Sequence, residues 1–404
     1  MLTLFGYGNT TKAIAQNHPC QIFDDNTTTK FEDDFGNTIY PSSQFDPSKS
    51  SCEVPSPGIP PSNKLIQKAQ NLISEYDFFS SSLSDDMPYS IWISGTNGKT
   101  TTTSMITHLL KDKGAICGGN IGVPLASLDT KANMWVLETS SFTLEYTKEA
   151  SPNIYILLPI SQDHISWHGS FEAYEEAKLK PLSTMSEGEV IILPNKYLDD
   201  NLYPTNGYKI GYDTNNPTQD LANRFGIEAD KINFKEPFLF DAIISLAVQK
   251  ILFDKVDYEL INSFVQDPHK LEEFRDIQDR LWCDDSKATN VDASLQALKN
   301  FEKDKLFLIL GGDSKGADLE PLIKYLKNFD VEVFCIGKSC DMIYEMCDKN
   351  SIKATKSQTL ENAVKSIDKL HTSSSIALLS PACASLDQFS SYKHRGEEFK
   401  SLVS

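Results

Sequence analysis

Ser94-Gly95-Thr96-Asn97-Gly98-Lys99-Thr100-Thr101-Thr102-Thr103 is the stretch that decides how this chain is read. The run before it, Tyr89 to Ser94, is apolar and β-leaning, and the run after it, Ser104 to Leu110, is helical in character. A strand, a glycine-rich turn ending in Gly-Lys-Thr and then a helix is the order a phosphate-binding loop requires. Gly95 and Gly98 let the backbone turn sharply and bring N–H groups close to phosphate oxygens. The new helix points its positive end at the same place. Lys99 can reach the β and γ phosphates, and the Thr100 hydroxyl can ligate Mg²⁺. The loop is shorter than G-x-x-x-x-G-K-[ST], which would place glycine where Ile93 stands. Gly-Lys-Thr alone also fits an ordinary turn; its setting favours nucleotide binding.

Downstream, short apolar runs alternate with helical ones: Trp135 to Leu137, Ile154 to Leu158, Val190 to Leu193. That alternation predicts an α/β domain with a mostly parallel sheet. In such sheets ligands gather at the carboxyl ends of strands. Glu138-Thr139-Ser140-Ser141-Phe142 follows one predicted strand and Asp163-His164, with His168 beyond, follows another. An acid facing a phosphate loop is the expected Mg²⁺ ligand; the plainer alternative is a helix N-cap. Gly118-Gly119-Asn120-Ile121-Gly122 suits close approach to a ligand or a tight turn. Lys178, in the helical run Tyr174 to Lys180, reads from pattern alone as a solvated charge.

Toward the N-terminus, Leu2 to Phe5 predicts a strand running into Gly6-Tyr7-Gly8, then a helix from Thr10 to Gln16 and a strand Gln21 to Phe23 ending at Asp24-Asp25-Asn26. This is half of a dinucleotide-type unit, but the third glycine is absent, with Thr11 nearby; a phosphorylated ligand other than NAD fits better. Ser56-Pro57-Gly58-Ile59-Pro60-Pro61 is a strongly punctuated turn, Leu65 to Ser74 reads as a helix and Ser80 to Pro88 as a linker. Phe238 to Leu252 and Asp257 to Val265 read as helices, and Gln266-Asp267-Pro268-His269 as a second boundary. Strands at Leu306 to Leu310, Val331 to Ile336 and Ile376 to Leu379 alternate with helices at Leu319 to Asn328 and Leu360 to Leu370. The expected fold is therefore α/β in three domains: residues 1–84, Rossmann-like; 85–266, a phosphate-loop ATPase domain with a mostly parallel sheet; and 267–404, Rossmann-like. The last domain carries Asp284-Asp285-Ser286-Lys287-Ala288-Thr289-Asn290, the nest-like Gly311-Gly312-Asp313-Ser314-Lys315-Gly316 and Ser380-Pro381-Ala382-Cys383-Ala384-Ser385. No base pairs with Cys383 by motif, so it is not read as a nucleophile.

The 404 residues carry a formal net charge of −18, which argues against sequence-independent nucleic-acid or anionic-membrane binding. Eight cysteines without a C-x-x-C pair fit reduced thiols rather than disulfides or zinc. No signal peptide and no apolar run of membrane-spanning length is present, so a soluble cytoplasmic protein is expected.

Together these motifs resemble the Mur ligase family, and its D-glutamate-adding branch in particular. Gly-Thr-Asn-Gly-Lys-Thr-Thr, Gly-Gly-Asn-Ile-Gly and Glu-x-Ser-Ser-Phe are similar to the family at large. Asp285 to Asn290, Gly-Gly-Asp-x-Lys at 311–315 and Ser380 to Phe389 with Arg395-Gly396 are similar to that branch. The resemblance implies ATP-dependent amide-bond formation: the L-alanyl carboxylate of UDP-N-acetylmuramoyl-L-alanine is phosphorylated, and D-glutamate attacks the acyl phosphate. It implies ATP contacts from Gly95, Thr96, Asn97, Gly98, Lys99, Thr100, Thr101, Asp241, Lys270 and Asp285. It implies two Mg²⁺ sites, one on Thr100 and Glu138 and one on His164 and a carbamylated Lys178. Asn120 and Ser140 would hold the muramoyl-alanine part, and Asn9, Thr10, Asp24, Asp25 and Asn26 the uridine diphosphate end. Thr289, Lys315, Ser385, Leu386 and Tyr392 would hold D-glutamate, and Lys287 the transferring phosphate. The working form would be a monomer.

Four residues, in three places, depart from the pattern. Ser166-Trp167 stands for Asp-Arg, Asp241 for Asn and Lys270 for Arg; the lysine keeps the charge but not the bidentate fork. A related enzyme such as folylpolyglutamate synthase would share the phosphate loop but lack the Asp-Ser-Lys-Ala-Thr-Asn and Ser-Pro-Ala-Cys-Ala-Ser stretches. A non-catalytic scaffold would have lost Lys99, Glu138, His164 or Lys178, and all four are present.

Overall fold

Strand alternation at the N-terminus builds a first sheet with two apolar faces. Leu4, Ile22, Ile39 and Val54 pack into one core cluster, while Phe5 and Phe23 meet Phe45 in another. The strands are β1 (Leu2–Phe5), β2 (Cys20–Asp24), β3 (Phe31–Glu32), β4 (Thr38–Pro41) and β5 (Cys52–Pro55), in the order β3-β4-β2-β1-β5. All neighbours pair in parallel except the β3–β4 hairpin.

The second sheet is parallel throughout: β6 (Tyr89–Ser94), β7 (Ala115–Gly119), β8 (Met134–Glu138), β9 (Ile154–Leu157), β10 (Val190–Pro194) and β11 (Tyr208–Tyr212), in the order β11-β10-β9-β6-β8-β7. Its inner strands read as continuous apolar runs because both faces are covered; every residue of β9 is buried. Trp92, Trp135, Leu137, Tyr155 and Leu157 share one core with Leu4 and Val54 of the first sheet. The chain leaves β6 for β7 and β8 on one side and then crosses to β9, β10 and β11 on the other, so β6 stands at the switch point where such sheets bind ligands.

The third sheet runs β12-β13-β17-β14-β15-β16, from β12 (Glu272–Arg275), β13 (Leu281–Asp284), β14 (Lys305–Gly311), β15 (Asp330–Ile336), β16 (Lys353–Gln358) and β17 (Ser375–Leu379). Only the β12–β13 hairpin is antiparallel. The computed structural model describes residues 1–403. The chain forms two compact units: Met1–Asn233 with Leu239–Phe264, holding the first two sheets, and Phe234–Phe238 with the chain from Val265 onward, holding the third.

Several elements differ from expectation. The helix expected over Leu65 to Ser74 covers only Lys64–Lys68. Beyond it, Glu53 N–H donates to the Asn71 carbonyl at 3.0 Å and Ile73 N–H donates to the Glu53 carbonyl at 2.9 Å, so the chain is drawn out alongside β5. The expected linker Ser80 to Pro88 is instead the end of a helix, Glu75–Leu83, and a 3₁₀ turn, Ser84–Asp86. A Ser74–Asp77 capping box starts that helix, and burial of Tyr76 and Phe79 outweighs the weak helical preference of its serines. The helix after the phosphate loop begins at Lys99, not Ser104, and Asp257 to Val265 is helical only over Tyr258–Asn262. No helix among the described residues is long and apolar enough to cross a membrane, and all eight cysteines are free.

Candidate active site

Gly95 leaves β6 at φ 136°, where a Cβ would stand 2.5 Å from Leu158 Cβ, so the turn admits only glycine. Gly98, at φ 87°, then caps the helix Lys99–Leu110. Lys99 curls back over this loop, donating to the carbonyls of Gly95 at 3.0 Å and Thr96 at 2.8 Å. Desolvation lowers its pKa, opposed by the charges of Glu138 and Asp163. The Thr100 hydroxyl donates to Glu138 Oε2 at 2.8 Å, and Asn120 Nδ2 donates to Glu138 Oε1 at 2.8 Å. Strand order explains the convergence: β8 lies beside β6, and β7 beside β8, so residues that follow β6 and β7 meet on the carboxylate that ends β8. The hydroxyl and carboxylate oxygens form a hard donor set that suits Mg²⁺.

The loop after β9 is fastened to the phosphate loop by Thr96. Its amide donates to Pro159 O at 3.1 Å, and its hydroxyl lies 3.0 Å from both Ser161 O and the Tyr174 hydroxyl. His164 follows in the left-handed region at φ 53°, half exposed, with Nε2 3.7 Å from Asp163 Oδ2 and its ring 4.8 Å from that of Phe142. Lys178 is not the solvated charge its helix pattern predicts. On the helix Phe171–Thr184 it is 1% exposed, donating to Gly95 O at 2.7 Å and Ser94 Oγ at 3.3 Å. Burial, and then the nearby Lys99 charge, hold its pKa well below the ordinary lysine value. Buried Asp241, on the helix Phe238–Phe253, accepts from the Thr102 hydroxyl at 2.9 Å. Thr101 is buried in the phosphate-loop helix, and the Asn97 backbone lies between the two glycines. Ser140 serves as an N-cap, its Oγ accepting from Thr143 N–H at 3.1 Å.

In the first sheet, parallel pairing of β1 with β2 brings the two expected loops together. Asp24 braces them, its carboxylate accepting from Tyr7 N–H at 2.9 Å and Asn26 N–H at 2.8 Å. Thr11, near where a third glycine would stand, donates to Gly6 O at 2.7 Å and accepts from Gly8 N–H at 3.1 Å. Asn9 is exposed and Thr10 half-buried in the first turn of the helix Asn9–Asn17, and Asp25 accepts from Asn63 at 2.6 Å.

Within the second unit, Asp285 is buried and turned inward. Its carboxyl accepts from Ser380 Oγ at 2.7 Å and from Leu271 N–H at 3.3 Å, and burial pushes its pKa up to about 8. Lys270 is largely buried and donates to Asp267 at 3.0 Å. Lys287 is exposed, its Nζ 4.3 Å over the Tyr392 ring, with half-buried Thr289 two residues on. Backbone pairing of Asp313 with Ala384 joins the Gly-Gly-Asp motif, with exposed Lys315 at φ 50°, to the segment bearing buried Ser385 and exposed Leu386. Burial raises Cys383 to about 12, so its thiol stays protonated, in keeping with its not being a nucleophile.

Residues 93–243 match the Mur ligase middle domain. Over 100% of the chain and 99% of the relative, the sequence is 52% identical to UDP-N-acetylmuramoylalanine--D-glutamate ligase of Campylobacter jejuni subsp. jejuni serotype O:6. It is 44% identical, over the same shares, to the enzyme of that name from Helicobacter pylori. The chain belongs to the Mur ligase family. Among solved structures, MurF ligase from Thermotoga maritima in complex with ADP superposes with a TM-score of 0.59 at 17% identity over 88% of each chain. MurF from Acinetobacter baumannii gives 0.62 at 14% identity over 100% of this chain and 90% of that one. At such identities the likeness is one of fold.

Of the residues that depart from the Mur ligase pattern, Asp241 is engaged by Thr102, Lys270 by Asp267, and Trp167 by a stack on Phe142 at 4.4 Å. Sequence reasoning missed the hydroxyls of Ser94 and Tyr174, which lie against Lys178 and Thr96. It also missed the partner of His168, which is Ser141. His168 Nε2 lies 2.9 Å from that hydroxyl, and burial, with the nearby charges of His164 and Lys178, lowers the imidazole to about 4. Both Tyr174 and Ser141 stand inside quoted motifs, but which way they face depends on helix packing that no local pattern encodes.

Proposed function

We propose that the chain is an ATP-dependent ligase that joins D-glutamate to UDP-N-acetylmuramoyl-L-alanine in the synthesis of peptidoglycan precursors. The observation that carries this reading is full-length similarity to enzymes named for that reaction. ATP transfers its γ-phosphoryl group to the alanyl carboxylate, giving ADP and an acyl phosphate. The amine of D-glutamate attacks the acyl carbon, and the tetrahedral intermediate loses phosphate and a proton to leave the amide.

Phosphoryl transfer needs positioning and charge neutralisation more than covalent help. The backbone amides from Gly95 to Thr101 cradle the phosphates, and Lys99 exchanges its two carbonyl partners for the γ-phosphoryl oxygens. Thr100 and Glu138 would hold Mg²⁺, which neutralises phosphate charge when bound. We assign a second Mg²⁺ to His164 and Lys178, the lysine as its carbamate. The lowered pKa of Lys178 supports this, because CO₂ reacts with the neutral amine. A carbamate would also replace the repulsion between Lys178 and Lys99 with attraction.

We assign residues 1–84 to the uridine diphosphate end, through Asn9, Thr10 and Asp24 to Asn26, and residues 85–266 to ATP and the muramoyl-alanine part, through the phosphate loop, Asp241, Asn120 and Ser140. Residues 267–404 take D-glutamate, through Thr289, Lys315, Ser385, Leu386 and Tyr392, with Lys287 on the transferring phosphate. Lys270 and Asp285 complete the ATP contacts, Asp285 by fixing the loop that leads to Lys287. The reaction is cytoplasmic and the working form a monomer. The test is Lys99→Ala: turnover is abolished while circular dichroism and melting temperature stay at wild-type values. Near wild-type turnover in the folded variant overturns the assignment.

A further inference from the structure

The turn Ser56-Pro57-Gly58-Ile59-Pro60-Pro61 lies between the two ends that the muramoyl precursor must reach. On one side it packs against the glycine turn after β1. Ser56 N–H donates to Phe5 O at 2.7 Å, a Cβ on Gly6 would come 3.0 Å from Ile59 Cδ1, and one on Gly8 would come 2.9 Å from Ser56 Oγ. On the other side two aromatic side chains of the second sheet's layer hold consecutive carbonyls of the same turn. Trp167 Nε1–H donates to Gly58 O at 3.2 Å, and the Tyr146 hydroxyl donates to Ile59 O at 2.6 Å. Trp167 stacks on Phe142 with centroids 4.4 Å apart and planes 26° apart, and Phe142 in turn lies 4.8 Å from the His164 ring. His164 opens the short helix Ile165–His168 that carries Trp167. Contacts therefore run unbroken from the glycine turn to His164, all within one compact unit.

We propose that Trp167 is a positioning residue for the UDP-N-acetylmuramoyl-L-alanine substrate. With Tyr146 it pins the 56–61 turn, and through Phe142 it links that turn to His164. The spacing between the glycine turn at the nucleotide end and the phosphate loop at the alanyl carboxylate is thus set before the precursor arrives. Such pre-organisation lowers the cost of binding a substrate that spans two sheets, and it acts on that substrate alone. The inference rests on the function proposed above for its kinetic consequence but not for the pinning itself.

Two measurements on the full chain separate the two. Trp167→Phe keeps an aromatic ring on Phe142 while removing the N–H donor and part of the indole; Trp167→Ala removes the ring as well. Hydrogen exchange followed by mass spectrometry reads the pinning without reference to activity. Peptides covering residues 56–63 exchange faster in Trp167→Phe, and faster still in Trp167→Ala, while the helix Lys99–Leu110 keeps wild-type protection. In steady-state assays Trp167→Phe raises KM for the UDP precursor about fivefold, the worth of one hydrogen bond. Trp167→Ala raises it further, kcat stays within about twofold, and KM for ATP and for D-glutamate is unchanged. Wild-type exchange at residues 56–63 in Trp167→Ala overturns the pinning. Faster exchange with an unchanged precursor KM, or with all three KM values rising together, overturns the positioning role. A wild-type chain that turns over no precursor contradicts the proposed function instead, and leaves the exchange result to decide the pinning.

Discussion

Lys178 donates from Nζ to the carbonyl of Gly95, the first glycine of the phosphate loop, at 2.7 Å, and the residue is only 1% exposed. A lysine in that position is not surface decoration. Lys178→Ala is expected to lose activity by orders of magnitude. The protein should remain folded, because Gly95 O keeps its bond from Lys99, and the loss of stability is about 1–3 kcal/mol. Acetate or formate, filling the vacated space with a carboxylate, should restore part of the turnover if the active form is the carbamate. Full activity in the variant would show that the contact is only structural.

Glu138 receives the Thr100 hydroxyl on one oxygen and the Asn120 amide on the other. Glu138→Gln keeps the size of the side chain and removes the charge. The Mg²⁺ concentration for half-maximal turnover should rise on the order of tenfold or more, with the melting temperature little changed. An unaltered Mg²⁺ requirement would remove Glu138 from the metal site.

Glu75 is 5% exposed, and its Oε2 has no hydrogen-bond partner among the described residues. Burial raises its pKa from 4.5 to about 7, against the lowering effect of a backbone hydrogen bond from Leu125. Because the folded value lies above the unfolded one, the folded state holds the extra proton between them. Its contribution to stability is full below about pH 4.5 and is lost as pH rises through about 7. Glu75→Gln has no such dependence. Between pH 4.5 and pH 8 the stability difference should move by about 3 kcal/mol in favour of the variant, read from denaturant midpoints. A difference that stays flat across that range would show that Glu75 is not buried as described.

The phosphate loop and the acids at the ends of β8 and β9 are legible in the sequence because each depends on a few adjacent residues. Lys178 is not legible in this way. Glu172, Glu175 and Glu176 make its helix look solvated, yet Glu175 turns outward to Lys196 at 2.7 Å while Lys178 turns inward to the loop. Only the packing of that helix on the sheet sets the two directions. The edge strands β12 and β16 escape prediction because their residues, Glu-Glu-Phe-Arg and Lys-Ala-Thr-Lys-Ser-Gln, carry little apolar signal. The segment Ser80 to Pro88 looks like a linker because of its serines and aspartates, while burial of Tyr76 and Phe79 a turn earlier carries the helix into it. The inward face of Asp285 is hidden in the same way: its partner Ser380 is supplied by a motif 95 residues away.

The central claim is tested most directly by phosphate release from ATP, measured with UDP-N-acetylmuramoyl-L-alanine and one candidate acceptor at a time. Pairing of Asp313 with Ala384 joins the loop bearing Lys315 to the segment bearing Ser385, and an acceptor with two carboxylates matches such a cation-and-hydroxyl set. A site built for both carboxylates leaves donors unpaired when the acceptor is wrong, which costs on the order of 10⁴ in kcat/KM. The account predicts release that requires ATP, the precursor and D-glutamate together, yields the precursor extended by one glutamyl residue, and is poor with L-glutamate, L-lysine or meso-diaminopimelate. Comparable rates with a diamino acid, or release that ignores the UDP precursor, would contradict it.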